Sequence, residues 1–272
     1  MIEVKEYRGH IRNWEALCEE LGLSNTMTRE EREPAILVKA YETWGKDMAD
    51  HMYGMFAFAL YDTEADELFC LRDQFGTKPF YYYQTADGKL LYGTMIRSIL
   101  EQPGFVKELN IDMLQIYMTL TYVAGEDTFF KGIKKLMPGH WLSFKNGKLE
   151  LHRYWTPTFH PDESKNLEDW ADEIHTTLQQ MMREVKTADE TAESFLSGGV
   201  DSSYVLAMSD AKRADSCGYD EERFDESRIA AKTAELLGVE HSVAKITPQQ
   251  FFDIVPYTMY NMEQPLGDAS AI

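Results

Sequence analysis

The sequence predicts a two-part protein, an α+β first part followed by an α/β second part built on a parallel sheet. Two observations predict it. Up to residue 155, short apolar runs follow one another in hairpin-like pairs with helical segments between them. Beyond a stretch rich in proline and polar residues, "TPTFHPDESKN" (156–166), apolar runs alternate with amphipathic helical segments. A length of 272 residues suits one large domain or two small ones, and the boundary is placed between residues 155 and 156.

The elements follow from periodicity and turn chemistry. "NWEALCEEL" (13–21) puts Trp14, Leu17, Cys18 and Leu21 on one helical face, which makes Cys18 a core residue. "AILVKAYETWG" (35–45) reads as a helix with Gly45 as its C-cap. "MFAFALYD" (55–62) and "ELFCLRD" (67–73) read as buried strands joined by a polar turn. "PFYYYQ" (79–84) and "KLLYGTM" (89–95) form another hairpin, turning at Asp87-Gly88. "IRSILEQ" and "IDMLQIYMTLTY" read as helices. In "HWLSFKNGKLELHRYW" (140–155), Asn146-Gly147 separates two alternating runs, as a type I′ turn requires. After the boundary come helix 168–186, strand 193–197, helix 201–211, strand 215–219, helix 225–238, strand 239–246 and helix 248–262. The acidic run 220–226 reads as a solvated helix entry, and Tyr81–Tyr83 as a strand packed on both faces.

Composition narrows the function classes. The net charge of −19 argues against non-specific nucleic-acid binding and against an anionic membrane surface, both of which call for basic surface. A nucleoside triphosphate still fits, because local amides and a metal outweigh distant charge. Three scattered cysteines form no C-x-x-C, and the seven histidines show no H-E-x-x-H, so neither a disulfide framework nor a zinc site is indicated. No run approaches 18 apolar residues, and "MIEVKEYRGH" has no signal-peptide core. A reducing, cytoplasmic setting is expected.

The most informative run is "ESFLSGGVDSSYVLA" (193–207). An apolar strand ends at Leu196, and two glycines let the backbone turn sharply and approach a ligand. A helix then starts near Asp201, so its free N–H groups face the turn. Ser197, Ser202 and Ser203 add hydroxyl donors, and Asp201 suits a magnesium–phosphate complex better than bare phosphate. A bare Ser-Gly-Gly would be an ordinary capped turn; the full "SGGVDSS" between strand and helix is far more specific. It is not a Walker A loop, since the Gly-Lys-Ser/Thr ending is absent.

This run resembles the PP-loop of the ATP pyrophosphatases. "MYGMFAFALYDTEADELFCLRDQFGTKPFYYY" (52–83) resembles the glutaminase domain of glutamine-hydrolysing asparagine synthetases, a class II amidotransferase. "KKLMPGHWLSF" (134–144), "ERFDESRIAAKTAELLGVEHSV" (222–243) and "YNMEQPLGDASAI" (260–272) resemble that family's further segments, in the same order. The resemblance implies part of an N-terminal-nucleophile-type sheet sandwich over 1–155. It implies the first part of a PP-loop parallel sheet, with helices on both faces, over 156–272. It also implies a cytoplasmic ATP-dependent carbon–nitrogen ligase: ATP and Mg²⁺ as cofactors, aspartate and glutamine or ammonia as small-molecule substrates, neither nucleic acid nor membrane as partner, and a homodimeric parent. The reaction would be adenylylation of the aspartate side chain, then amidation to asparagine, AMP and pyrophosphate.

Carried over by position, Ser197, Gly198, Gly199, Ser202 and Ser203 would hold phosphates, and Asp201 would be catalytic through magnesium. Leu196 would meet adenosine with its backbone. "SCGYDE" (216–221) would contact adenine, with Gly218 and with Cys217 as a small apolar wall where the family usually has valine. Asp268 and Ser270 would face the synthetase site. "RDQFGTKPFYY" (72–82) is expected to be a structural turn rather than a phosphate turn.

The pattern departs from the family at the glutamine pocket. Arg8-Gly9-His10 stands for Asn-Gly-Glu, and Arg32-Glu33-Pro34-Ala35 for Ser-Asp-Thr-Glu, leaving Glu33 as the carboxylate for a substrate amine. Position 2 is Ile2 rather than the nucleophilic cysteine, and the family's Ser-Gly-Glu-Gly loop does not occur before Ile272. The expectation is a fragment cut at both ends that does not hydrolyse glutamine. Two alternatives stay open: a β-lactam synthetase-like ligase acting on another carboxylate, and a non-catalytic nucleotide-binding remnant.

Overall fold

The computed structural model describes residues 1–188 and 193–268, with side chains described outside 184–188. The chain divides into two compact units. The first comprises Met1–Thr158 and the described residues from Thr258 onward; the second comprises Phe159–Tyr257.

In chain order the first unit contains β1 (Ile2–Ile11), α1 (Trp14–Leu21), α2 (Arg29–Trp44), α3 (Met48–His51), β2 (Gly54–Asp62), β3 (Glu67–Arg72), β4 (Tyr81–Gln84), β5 (Leu90–Gly93), α4 (Arg97–Leu100), α5 (Asp112–Leu120), β6 (Lys134–Lys135), β7 (His140–Lys145) and β8 (Lys148–Arg153). A five-stranded antiparallel sheet runs β1-β2-β3-β7-β8, and a second, three-stranded sheet runs β5-β4-β6. The run in β2 is nearly all apolar because both faces are covered. Its phenylalanines, Phe56 and Phe58, with Phe69 and Leu71 of β3, face Leu17 and Cys18 of α1 and Ile36 and Leu37 of α2. Its alanines, Ala57 and Ala59, with Cys70 and Leu142, face Tyr82 of the second sheet and Phe80 and Leu136, which flank its strands β4 and β6. Small residues on one side and aromatics on the other thus assign each face its layer.

The hairpins form where the turn residues place them. Asn146 and Gly147 both take positive φ, 52° and 72°, so β7 and β8 close through a type I′ turn. The short α3 and β6 were not in the sequence reading, and two larger differences have a clear cause. Helix α2 starts at Arg29, six residues before the expected start at 35, behind a capping box in which Glu31 accepts from the Thr28 amide at 3.1 Å. Charged residues at 29–33 and Pro34 concealed its apolar face. Strand β1 was not foreseen at all, because a register shift between Val4 and Glu6 moves its inward residues from even to odd positions.

The second unit contains α6 (Leu167–Ala188), β9 (Ser194–Phe195), α7 (Val200–Met208), β10 (Arg213–Tyr219), α8 (Ser227–Leu237), β11 (Glu240–Ile246) and α9 (Pro248–Met262), the last turn or so of α9 belonging to the first unit. Its sheet is parallel, in the order β11-β10-β9. Leu196, Leu206, Ala214, Ala230 and Ala234 form its core, so α7 and α8 cover one face through small residues that let helix and sheet approach. Phe195, on the opposite side of the strand from Leu196, is 86% exposed.

Candidate functional site

The Ser197–Ser203 loop lies between β9 and α7, at the carboxyl end of a parallel strand, where ligands of open α/β sheets bind. Leu196 is buried and its amide donates to the Asp215 carbonyl at 2.9 Å, which fixes the strand end. Gly198 then takes φ +85°. A Cβ there would sit 3.1 Å from the Glu226 carbonyl and 3.2 Å from the Ala230 amide nitrogen, so the turn is pressed against α8. Gly199 is the N-cap of α7, and the first helical bond is Ser203 N–H to the Gly199 carbonyl at 3.2 Å. The amides of Val200, Asp201 and Ser202 precede that bond and have no acceptor within the helix.

Hydroxyls knit the turn together. Ser197 and Ser202 share a hydrogen bond at 2.9 Å, the Ser197 amide donates to Ser202 Oγ at 3.2 Å, and Ser203 Oγ donates to the Gly199 carbonyl at 2.7 Å. Asp201 is exposed on the first turn of α7. Among the described residues no cluster of three or more His, Cys, Asp or Glu side chains is arranged to hold a metal. One carboxylate beside free amides still suits Mg²⁺, which binds through one or two carboxylates plus substrate phosphates.

Further along β10, Gly218 is buried and packs so tightly that a Cβ would lie 3.0 Å from Val243 Cγ1. Cys217 is exposed, so it is not an ordinary buried thiol; Cys18 and Cys70 are buried, and loss of solvation pushes both of those thiols up. Asp225 accepts from the Ser227 amide at 3.0 Å, and hydrogen bonding to Ser227 holds its carboxyl below the usual range.

Of the residues where the first unit departs from the resembled pattern, His10 and Glu33 come together, with Arg29 beside them. Glu33 is 2% exposed. Its Oε1 meets His10 Nδ1 at 2.8 Å and the Ile11 amide at 3.1 Å, and Arg29 Nε reaches Oε2 at 3.2 Å. Burial pushes the Glu33 carboxyl up, but hydrogen bonds to His10, Ile11 N–H and Arg29 work against it and hold it below the usual range. The Arg32 guanidinium stacks on the Trp14 ring with its carbon 3.5 Å from the centroid. Gly9 passes so close to β2 that a Cβ would stand 2.0 Å from the Met55 carbonyl oxygen.

The remaining candidates separate. The 72–78 turn is structural: Asp73 accepts from the amides of Phe75, Thr77 and Lys78, and Arg72 donates to the carbonyls of Gly76, Lys78 and Leu136. Asp268 is exposed. Ser270 lies outside the described residues. Sequence reasoning placed Ser216 in the 216–221 run but missed its pairing with His241; only the parallel register of β10 and β11 brings the two together.

Residues 4–155 match a family model described as a glutamine amidotransferase domain, more than half of the chain, and residues 173–272 match one described as asparagine synthase. The chain belongs to the glutamine amidotransferase domain family through its first part, and its second part is similar to asparagine synthase. Glutamine-hydrolysing asparagine synthetase 1 of Bacillus subtilis is 27% identical over 274 residues, 98% of this chain and 42% of that protein. Asparagine synthetase 3 of the same organism is 31% identical over 204 residues, 74% of this chain and 33% of that protein. The amidase chry2 of Gibberella zeae is 29% identical over 260 residues, 87% of this chain and 38% of that protein. The chain thus spans less than half the length of these relatives. Among the described residues of this family member, no helix is long and apolar enough to cross a membrane.

Proposed function

We propose that the second unit is the ATP-binding part of an ATP-dependent carbon–nitrogen ligase acting on aspartate. The single observation that carries this reading is the strand–turn–helix at 196–203, with Gly198 at positive φ and the free amides and hydroxyls of α7's first turn beside it. In the proposed reaction an aspartate carboxylate oxygen attacks the α-phosphorus of ATP and pyrophosphate leaves. Ammonia then displaces AMP from the β-aspartyl adenylate, giving asparagine. The loop's part is electrostatic: Gly198, Gly199, Ser197, Ser202 and Ser203 take the departing phosphates, and Asp201 is the residue that would hold Mg²⁺. Bound there, Mg²⁺ would neutralise charge that develops on the leaving group. Leu196, Cys217 and Gly218 are assigned to the nucleoside.

The buried Glu33 favours ammonia rather than glutamine as nitrogen source. Both of its oxygens are engaged by His10, Ile11 N–H and Arg29, which leaves less of the carboxylate for a substrate amine. The same feature keeps a second reading in view, a ligase that adenylylates a different carboxylate. The experiment is pyrophosphate release from ATP, with ammonia present, in the presence of aspartate or other carboxylic acids. Release that rises with aspartate supports the first reading, and release that answers only to another acid supports the second. ATP binding without release under any acid leaves a nucleotide-binding remnant.

A further inference from the structure

Beneath the loop, three side chains and one peptide group form a continuous hydrogen-bonded line. The Ser216 hydroxyl, on a residue 6% exposed, donates to the Leu196 carbonyl, which can only accept. A serine hydroxyl has one hydrogen, so the second contact of Ser216 Oγ, His241 Nε2 at 2.7 Å, requires the imidazole to be the donor. The Leu196 carbonyl belongs to the same peptide plane as the Ser197 amide. That amide donates to Ser202 Oγ at 3.2 Å. The line therefore runs from His241 on β11, through Ser216 on β10, across the Leu196–Ser197 peptide, to a hydroxyl of the loop itself. Each bond polarises the next.

Geometry explains why the line exists. In the parallel register Ala214 pairs with His241 and Ser216 with Val243, so His241 and Ser216 are diagonal neighbours on one face. The Leu196 amide is held separately by the Asp215 carbonyl at 2.9 Å. The strand end is thus fixed on both sides of Leu196, immediately before Gly198 turns.

We propose that His241 and Ser216 are positioning residues for the phosphate loop: His241, protonated at Nε2, orients Ser216, which fixes the Leu196–Ser197 peptide and through it the Ser202 hydroxyl. The consequence for ligand binding rests on the nucleotide reading of the loop; the orientation itself does not.

The test uses the full chain and four variants: Ser216→Ala, His241→Leu, His241→Gln and the double variant Ser216→Ala/His241→Leu. Glutamine carries an N–H near the place of Nε2, whereas leucine carries none. Three quantities are measured: the His241 tautomer by NMR, exchange of the Ser197 amide, and the Kd for Mg²⁺–pyrophosphate. The expected results are an Nε2–H imidazole and faster Ser197 exchange in Ser216→Ala and His241→Leu. Each of those two variants should bind pyrophosphate about fivefold to tenfold more weakly, the loss of one buried hydrogen bond. His241→Gln should restore most of the affinity. Because the residues act in series, the double variant should be no weaker than Ser216→Ala alone. Fully additive losses, a neutral Nδ1–H imidazole, or unchanged Ser197 exchange in both single variants would each overturn the proposal. If the unaltered chain binds no pyrophosphate, the nucleotide reading fails, and the tautomer and Ser197 exchange still decide the relay.

Discussion

At Gly198 the backbone occupies a conformation that a side chain resists, and α8 fills the space a side chain would need. Gly198→Ala should therefore destabilise the second unit by about 1–3 kcal/mol and weaken any phosphate ligand, read by thermal unfolding and titration. Glu33 gives a residue-scale prediction of opposite kind. Its folded pKa lies below the ordinary carboxylate value, so its stabilising contribution is complete above that value, and is lost as pH falls through the folded pKa. Unfolding of the first unit followed from pH 7 downward should show a loss of stability below about pH 4.5, where the unfolded carboxyl begins to take up a proton. Glu33→Gln should be less stable at pH 7 and should show a smaller loss on acidification; an unchanged acid limb would contradict the assignment. The loop residues were legible in the sequence because Ser197 to Ser203 are contiguous and their chemistry is local. The pairing of Ser216 with His241 was not legible, since they are 25 residues apart and meet only through strand register.

Among elements, those bounded by local chemistry were readable and those shaped by a partner were not. Asn146-Gly147 announces its hairpin by the φ values it must adopt. The strand β1 hides because a bulge breaks the period of two on which strand recognition depends. That strand depends on a close approach at Gly9, where the Met55 carbonyl leaves no room for a Cβ. Gly9→Ala should separate β1 from β2 locally, seen as lost exchange protection of amides in both strands. The start of α2 rests on its capping box, so Thr28→Ala should cost about 1 kcal/mol in denaturant unfolding without changing the slope. An unaltered midpoint would mean that the box contributes nothing.

For the whole molecule, a charge of −19 sets the conditions under which an anionic ligand can bind. Long-range repulsion would oppose free ATP, while the amides of α7's first turn and, in the proposed reading, a magnesium ion held by Asp201 would supply local attraction. The account therefore requires that binding depend on the divalent ion and on the shape of one turn. The change of pattern after residue 155 places a boundary in the sequence, whereas the compact units divide between Thr158 and Phe159 and the chain from Thr258 onward rejoins the first unit, a return that no local pattern signals. The sequence alone did not show that Glu33 is engaged by Arg29, His10 and the Ile11 amide. The most direct measurement is calorimetric titration of the chain with ATP, with and without Mg²⁺, beside the Asp201→Ala and Gly198→Ala variants. The account predicts one Mg²⁺-dependent site, weakened in both variants. No binding by the unaltered chain, or equal binding by all three with and without the metal, would contradict it.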